Sequence, residues 1–203
     1  MDKEEHYIAT NFELRDGEDK QVHIQGYALT FDSLSEDMGF REIIRKGALD
    51  NTDMTDVIFN FNHDNDKVLA RNNKSDGIGS LVLTVDDKGL FFDAIPTNTS
   101  YSNDLIENLR NGVLGKCSFR FSLDYEDNEA YVWDWDFKGT RGYDLRTINK
   151  IKTIRDVSIV TYPAYEATSS SIYVRAKENN EKEILREKEI AEKEKLSLEL
   201  ELL

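Results

Sequence analysis

The sequence predicts a β-rich α+β body with a few helices, followed by a charged C-terminal helical tail. Three observations carry that expectation. Up to Pro163, turn residues cut the chain into short runs rich in Val, Ile, Phe and Tyr, several of which alternate apolar and polar positions. One internal segment has helical spacing with capping residues at both ends. From Ala176 onward Glu and Lys dominate, making up half of the residues, with no Gly or Pro.

Residues 21–31 alternate and hold β-forming side chains, which predicts a strand. Residues 7–15 are expected to pair with it across a turn at Asp16-Gly17-Glu18-Asp19. Residues 43–50 are expected as a short helix. Residues 57–61 read as a buried strand opening into a polar loop, Asn62-His63-Asp64-Asn65-Asp66. The runs 79–85 and 89–95 flank Asp86-Asp87-Lys88-Gly89, which is turn chemistry suited to a hairpin. Leu105, Ile106 and Leu109 predict a helix over 100–111, with Ser100 or Ser102 as its cap and Gly112 at its end. A strand over 116–125 follows. Residues 126–145 mix Trp133, Trp135, Phe137 and Tyr143 with turn residues, as in a hairpin with a flexible tip, and 146–162 read as one or two strands. In the tail, Ile184, Ala191 and Leu198 recur at heptad spacing amid Glu–Lys pairs, the pattern of a solvated helix or weak coiled coil.

A chain of 203 residues suits one domain with a full core plus appendages. Its net charge of −14 makes phosphate backbones and anionic membranes poor partners, so neither nucleic acid nor membrane is expected. A single cysteine excludes an intramolecular disulfide. The charged start Met1-Asp2-Lys3-Glu4-Glu5-His6 lacks the apolar core of a signal peptide, and no apolar stretch reaches the roughly 20 residues that span a bilayer. The expectation is a soluble intracellular protein without cofactor.

Three segments hold the parts of a nucleophilic hydrolase. In the run Gly115-Lys116-Cys117-Ser118-Phe119-Arg120-Phe121, alternation puts Cys117, Phe119, Phe121 and Leu123 on one face and Ser118, Arg120 and Ser122 on the other. The apolar face belongs in the core, so Ser118 is expected to look outward at the start of the strand. Periodicity alone favours an ordinary polar position on a half-exposed strand. Cys117 is the rival nucleophile, but it is expected inside, behaving as a small hydrophobe. Of the three histidines, His6 lies in an acidic N-terminal segment and His23 alternates with Val22 and Ile24, whereas His63 follows an apolar strand as a general base would, although the residues alone favour an ordinary surface-loop histidine. Asp156 sits in a β-forming run opposite the apolar Val157 and Ile159, where an acid is disfavoured by propensity and could orient the histidine. Asp64 and Asp93 are alternatives to it. Arg120 is a candidate for substrate or oxyanion binding, and a solvated strand arginine is the equal alternative. Asp64 and Asp66 fit the first positions of a calcium loop, but Val68 and Leu69 stand where Gly and an acceptor belong, so no metal site is expected.

The run Phe31-Asp32-Ser33, Met38-Gly39-Phe40-Arg41-Glu42 and Gly47-Ala48-Leu49 resembles the opening motif of the tailed-bacteriophage prohead serine proteases. Asn62-His63-Asp64 with Leu69-Ala70-Arg71 resembles that family's histidine motif. Lys88 to Ala94, Cys117 to Phe121, and Asp156 to Ala164 follow in the family's order, so the likeness spans roughly residues 22–167. The resemblance implies a serine endopeptidase that processes scaffold or capsid-precursor protein, and itself in many members, during procapsid maturation. It implies a fold related to the herpesvirus assemblins, with a β-barrel core, over residues 1–175. It also implies capsid or scaffold precursors as partners, self-association as an option, and a location in the host cytoplasm inside the procapsid. Residues 176–203 would then be a scaffold tether or a self-cleaved segment. The chain departs from the assemblin pattern in having no histidine beyond His63. It departs from the phage pattern at Cys117, at Ala70 and at Asp156, where glutamate is usual. A catalytically silent assembly module with the same fold is the competing expectation; a common esterase is disfavoured by the missing G-x-S-x-G elbow.

Overall fold

Alternation in the sequence becomes strand pairing in a computed structural model that describes residues 4–8, 12–16, 21–161 and 167–201. In chain order these form β1 (Glu4–Ile8), β2 (Phe12–Asp16), β3 (Val22–Thr30), β4 (Arg41–Ile44), β5 (Ile58–Phe61), β6 (Asp64–Arg71), β7 (Leu81–Val85) and β8 (Gly89–Ala94). Then come α1 (Ser100–Arg110), β9 (Lys116–Ser122), β10 (Tyr131–Asp134), β11 (Leu145–Ile148), β12 (Thr153–Val160) and α2 (Ala167–Glu201). The expected turn at 17–19 and the strand end at Pro163 lie outside the described residues.

The strands pair as three open sheets, ordered β1-β9-β12-β5-β6, β10-β11-β4 and β2-β3-β8-β7. The end strands β1 and β6 each pair with one neighbour, so the five-stranded sheet does not close, and no closed barrel forms among the described residues. The fold is β-rich α+β with open sheets. Residues 7–15, expected as one partner of β3, serve two sheets. β2 pairs with β3, while β1 lies along β9.

The apolar faces of the five-stranded and four-stranded sheets meet in one buried cluster that includes Phe59, Leu69, Phe119, Phe121, Ile24, Leu29 and Phe92. Phe59 and Phe92 meet there with ring centroids 5.4 Å apart. Burying such side chains contributes roughly 1.5–3 kcal/mol each and fixes which face of β5, β9 and β12 is left for polar groups. Helix α1 adds Leu105, Ile106 and Leu109 to the same cluster. Its cap is Thr99, whose hydroxyl accepts the Ser102 amide at 3.3 Å, and not Ser100 or Ser102 as expected. The Ser102 side chain is instead buried. Gly112 ends the helix at φ +68°, as its position predicts.

The expected helix over 43–50 is absent. Ile43 and Ile44 pair in register with Thr147 and Ile148 as a parallel strand, and Gly47 at φ +93° turns the chain just after. Apolar residues at 43, 44, 48 and 49 mimic helical spacing, but Ile44, Ala48 and Leu49 are buried from a strand and a turn. Between Arg146 of β11 and Glu42 of β4 runs a buried ion pair, with the guanidinium over the rings of Phe40 and Trp133. In the β7–β8 hairpin, Gly89 is required for a different reason. A Cβ there would lie 1.9 Å from the Leu29 carbonyl oxygen.

The chain divides into two compact units, the second beginning at Glu166. Helix α2 starts at Ala167, so the expected change of character at 176 falls inside it. No Gly or Pro interrupts the sequence from Ala167 onward, which lets the helix extend back. Along it Leu185 and Ile190 are exposed.

Candidate active site

Three neighbouring strands position the site, and each solves a different local problem. On β9, alternation holds as the sequence predicts: Cys117, Phe119 and Phe121 are buried in the core, and Ser118 stands on the opposite face. That face is not open, however. Ser118 is 0% exposed, against the expectation that it looks out to where substrate could reach it. Period-2 alternation assigns a residue to a face but cannot tell that another segment lies over that face.

The covering segment is the turn between β5 and β6. Phe61 pairs with Asp64, leaving Asn62 and His63 as the two turn residues, with φ of +51° and +55°. Positive φ at both central positions is the pattern of the primed hairpin turns, whose twist matches the strands. Asn and His are among the non-glycine residues that tolerate this region best, yet holding a non-glycine residue there still costs on the order of 1–3 kcal/mol. The polar loop expected at 62–66 is therefore a tight turn, with a strand resuming at Asp64.

On β12 the alternation contains a break. Ile154 and Val157 are both in the core although three residues apart, which strict alternation forbids. The register shifts between Ile154 and Asp156, leaving exposed Arg155 as the extra residue of a β-bulge. The bulge reverses the parity, so Asp156, opposite Arg120, lies on the Ser118 face.

These devices bring the three expected residues together. His63 Nε2 is 2.8 Å from Ser118 Oγ, and His63 Nδ1 is 2.6 Å from Asp156 Oδ1. An ionised Asp156 can only accept, so Nδ1–H donates to it and Nε2 is left to accept the Ser118 hydroxyl proton. All three side chains are buried, which strengthens their electrostatic coupling. Asp64 and Asp93 are not in this chain of bonds. Asp64 accepts the Asp66 amide at 2.9 Å, and Asp93 accepts from Gln25 at 2.7 Å and bonds His23 at 2.8 Å. Arg120 Nη1 donates to the His63 carbonyl at 2.9 Å and lies 3.8 Å from Asp156 Oδ2.

Two residues were missed by sequence reasoning. Ser158 Oγ accepts the His63 backbone amide at 2.9 Å and reaches the carbonyls of Asn60 and Ile159 at 3.2 Å. Its place on the Asp156 face was visible in the alternation; the backbone lying over it was not. Asn60, level with Ser158 on β5, is fully buried, and neither amide atom has a partner among the described residues.

Cys117 is fully buried, and burial pushes its thiol from 9.0 up to about 12. A thiol held so high is not a nucleophile near neutrality. Because the folded value is raised, the stability it contributes is intact below about 9 and is lost as pH rises toward about 12. Iodoacetamide at pH 8 is expected to leave Cys117 unmodified in native protein and to alkylate it within minutes in guanidinium, as mass spectrometry would show. Rapid alkylation of the native chain would contradict its burial.

A serine, a histidine and a carboxylate linked in this order make the constellation of a serine hydrolase. Residues 10–183 match the family model described as caudovirus prohead serine protease, and the chain belongs to that family. Among curated proteins none matches. Among solved structures, the chain is similar to the bacteriophage T4 capsid assembly protease, gp21, with a TM-score of 0.52 and 14% identity over 79% of this chain and 98% of that one. At that identity the likeness speaks to fold alone. Among the described residues no helix is long and apolar enough to cross a membrane, and no cluster of three or more His, Cys, Asp or Glu could hold a metal ion.

Proposed function

We propose that this chain is a serine endopeptidase of procapsid maturation, acting inside the procapsid on scaffold or capsid-precursor protein and on itself. The observation that carries the reading is the unbroken hydrogen-bond chain from Ser118 through His63 to Asp156. Ser118 Oγ attacks the scissile carbonyl carbon while His63 Nε2 takes its proton. The tetrahedral intermediate collapses as His63 returns that proton to the leaving amine, and water, deprotonated by the same nitrogen, then hydrolyses the acyl-enzyme. Asp156 holds the imidazole in the right tautomer and stabilises its charged form. Arg120, expected at the substrate or oxyanion, belongs to the same centre, and its bond to the His63 carbonyl supports a part in holding the base. Residues 176–203 act as a tether to the precursor shell or as a segment removed by self-cleavage, the body being residues 1–175.

The competing reading, a catalytically silent assembly module, has the complete burial of Ser118 in its favour. Co-expression with the capsid precursor and scaffold proteins separates the two. Mass spectrometry is expected to find precursor fragments and chains shortened within 176–203, both absent when Ser118→Ala replaces the unaltered chain. Intact precursors in both cases would favour the silent module.

A further inference from the structure

Resting on the triad reading above, we infer that Ser158 is a positioning residue for catalysis, whose hydroxyl holds the backbone of His63 so that its imidazole spans Ser118 and Asp156. His63 sits at φ +55°, in the left-handed region, where holding a non-glycine residue costs free energy. Something outside the turn must therefore hold it. Its amide donates to Ser158 Oγ at 2.9 Å, and its carbonyl accepts Arg120 Nη1 at 2.9 Å. The peptide groups on both sides of its Cα are thus anchored to the sheet beneath. Anchoring both sides fixes where the Cβ points, which sets the two imidazole bonds.

The sheet register explains why Ser158 is suited to this. On β12 it lies directly opposite Ser118 of β9, and it is level with Asn60 of β5, two residues before the turn. The same side chain is thus level with the nucleophile and beneath the base. A hydroxyl is the smallest group that can accept the His63 amide and still donate to a neighbouring carbonyl, here that of Asn60 or Ile159, each at 3.2 Å. With Ser158 fully buried, an alanine would leave the His63 amide without this acceptor at a point out of reach of solvent. The turn would then relax, and displacements near 1 Å in a catalytic geometry cost about 100-fold in rate.

The test uses the full chain and a fluorophosphonate probe, which reports attack by Ser118 without requiring the natural substrate. In Ser158→Ala the labelling rate at saturating probe is expected to fall by about 10- to 100-fold. The half-saturating probe concentration and the final stoichiometry should stay unchanged. Ser158→Thr, which keeps the oxygen on a side chain suited to a strand, is expected to retain the rate. An unaltered rate in Ser158→Ala overturns the inference. So do equal losses in the alanine and threonine variants, which would mean packing alone, and a lowered stoichiometry at unchanged rate, which would mean lost fold. Labelling that persists in Ser118→Ala, or that never occurs in the unaltered chain, would instead bring down the triad reading itself.

Discussion

Ser118→Ala is expected to lower peptide cleavage by about 10⁴- to 10⁶-fold, the range over which loss of a triad nucleophile acts. Cys117→Ala, one residue away, is expected to leave the chemistry within a few-fold. The contrast follows from strand parity: the serine oxygen is 2.8 Å from His63 Nε2, whereas the thiol faces the core and is held near 12 by burial. Removing the sulfur leaves a small cavity beside Phe119 and Phe121, so that variant should lose stability, by about 1–3 kcal/mol, more than activity. Steady-state cleavage of the capsid precursor, with a thermal melt for each variant, checks both halves. Cleavage by Ser118→Ala would remove the serine from the mechanism.

Asp156→Asn should cost about 10⁴-fold in turnover while the protein folds as before. The amide is nearly isosteric with the carboxylate, so the bulge at Arg155 and the pairing of β12 with β9 are undisturbed. What changes is the proton inventory. An amide nitrogen facing Nδ1 would donate, forcing the proton to Nε2, where it blocks acceptance from Ser118. The imidazolium formed during acyl transfer would also lose its counter-charge. Arg120, 3.8 Å from the Asp156 carboxylate, would then face a neutral group, adding to the penalty. The measurement is turnover on the precursor beside a near-ultraviolet circular dichroism spectrum. Unchanged turnover in a folded variant would exclude Asp156 from catalysis.

Much of this site could be read in the amino-acid order because parity along a strand is a local property. Cys117 against Ser118, and Asp156 against Val157, are decisions between two faces that neighbouring side chains settle. The hairpin of β7 and β8 and the extent of α1 were readable for the same reason, since turn chemistry and helical spacing are local, although the cap itself fell on Thr99. The errors and gaps come from elsewhere. The turn at Asn62-His63 was hidden because histidine stands where glycine usually signals a primed turn. The bulge at Arg155 was hidden because an inserted residue looks like any other until its partner strand is known. Residues 43–50 misled because Ile44, Ala48 and Leu49 are buried by parallel pairing and a turn at Gly47, which apolar spacing cannot distinguish from a helix. The burial of Ser118 required knowing what crosses above it.

The place of β12 has a consequence for timing. Of the strands around Ser118, His63 and Asp156, β9 and β5 are not paired with each other; β12 lies between them and is hydrogen-bonded to both. Serine and histidine are 55 residues apart, and the aspartate comes 93 residues after the histidine, near the end of the sheet-forming chain. A nascent chain therefore carries Ser118 and His63 for the whole interval in which β10, β11 and β12 are still being made, without the strand that brings them together. On the proposed mechanism, a chain that ends before β12 would be inert, because the strand that joins the two halves also delivers Asp156.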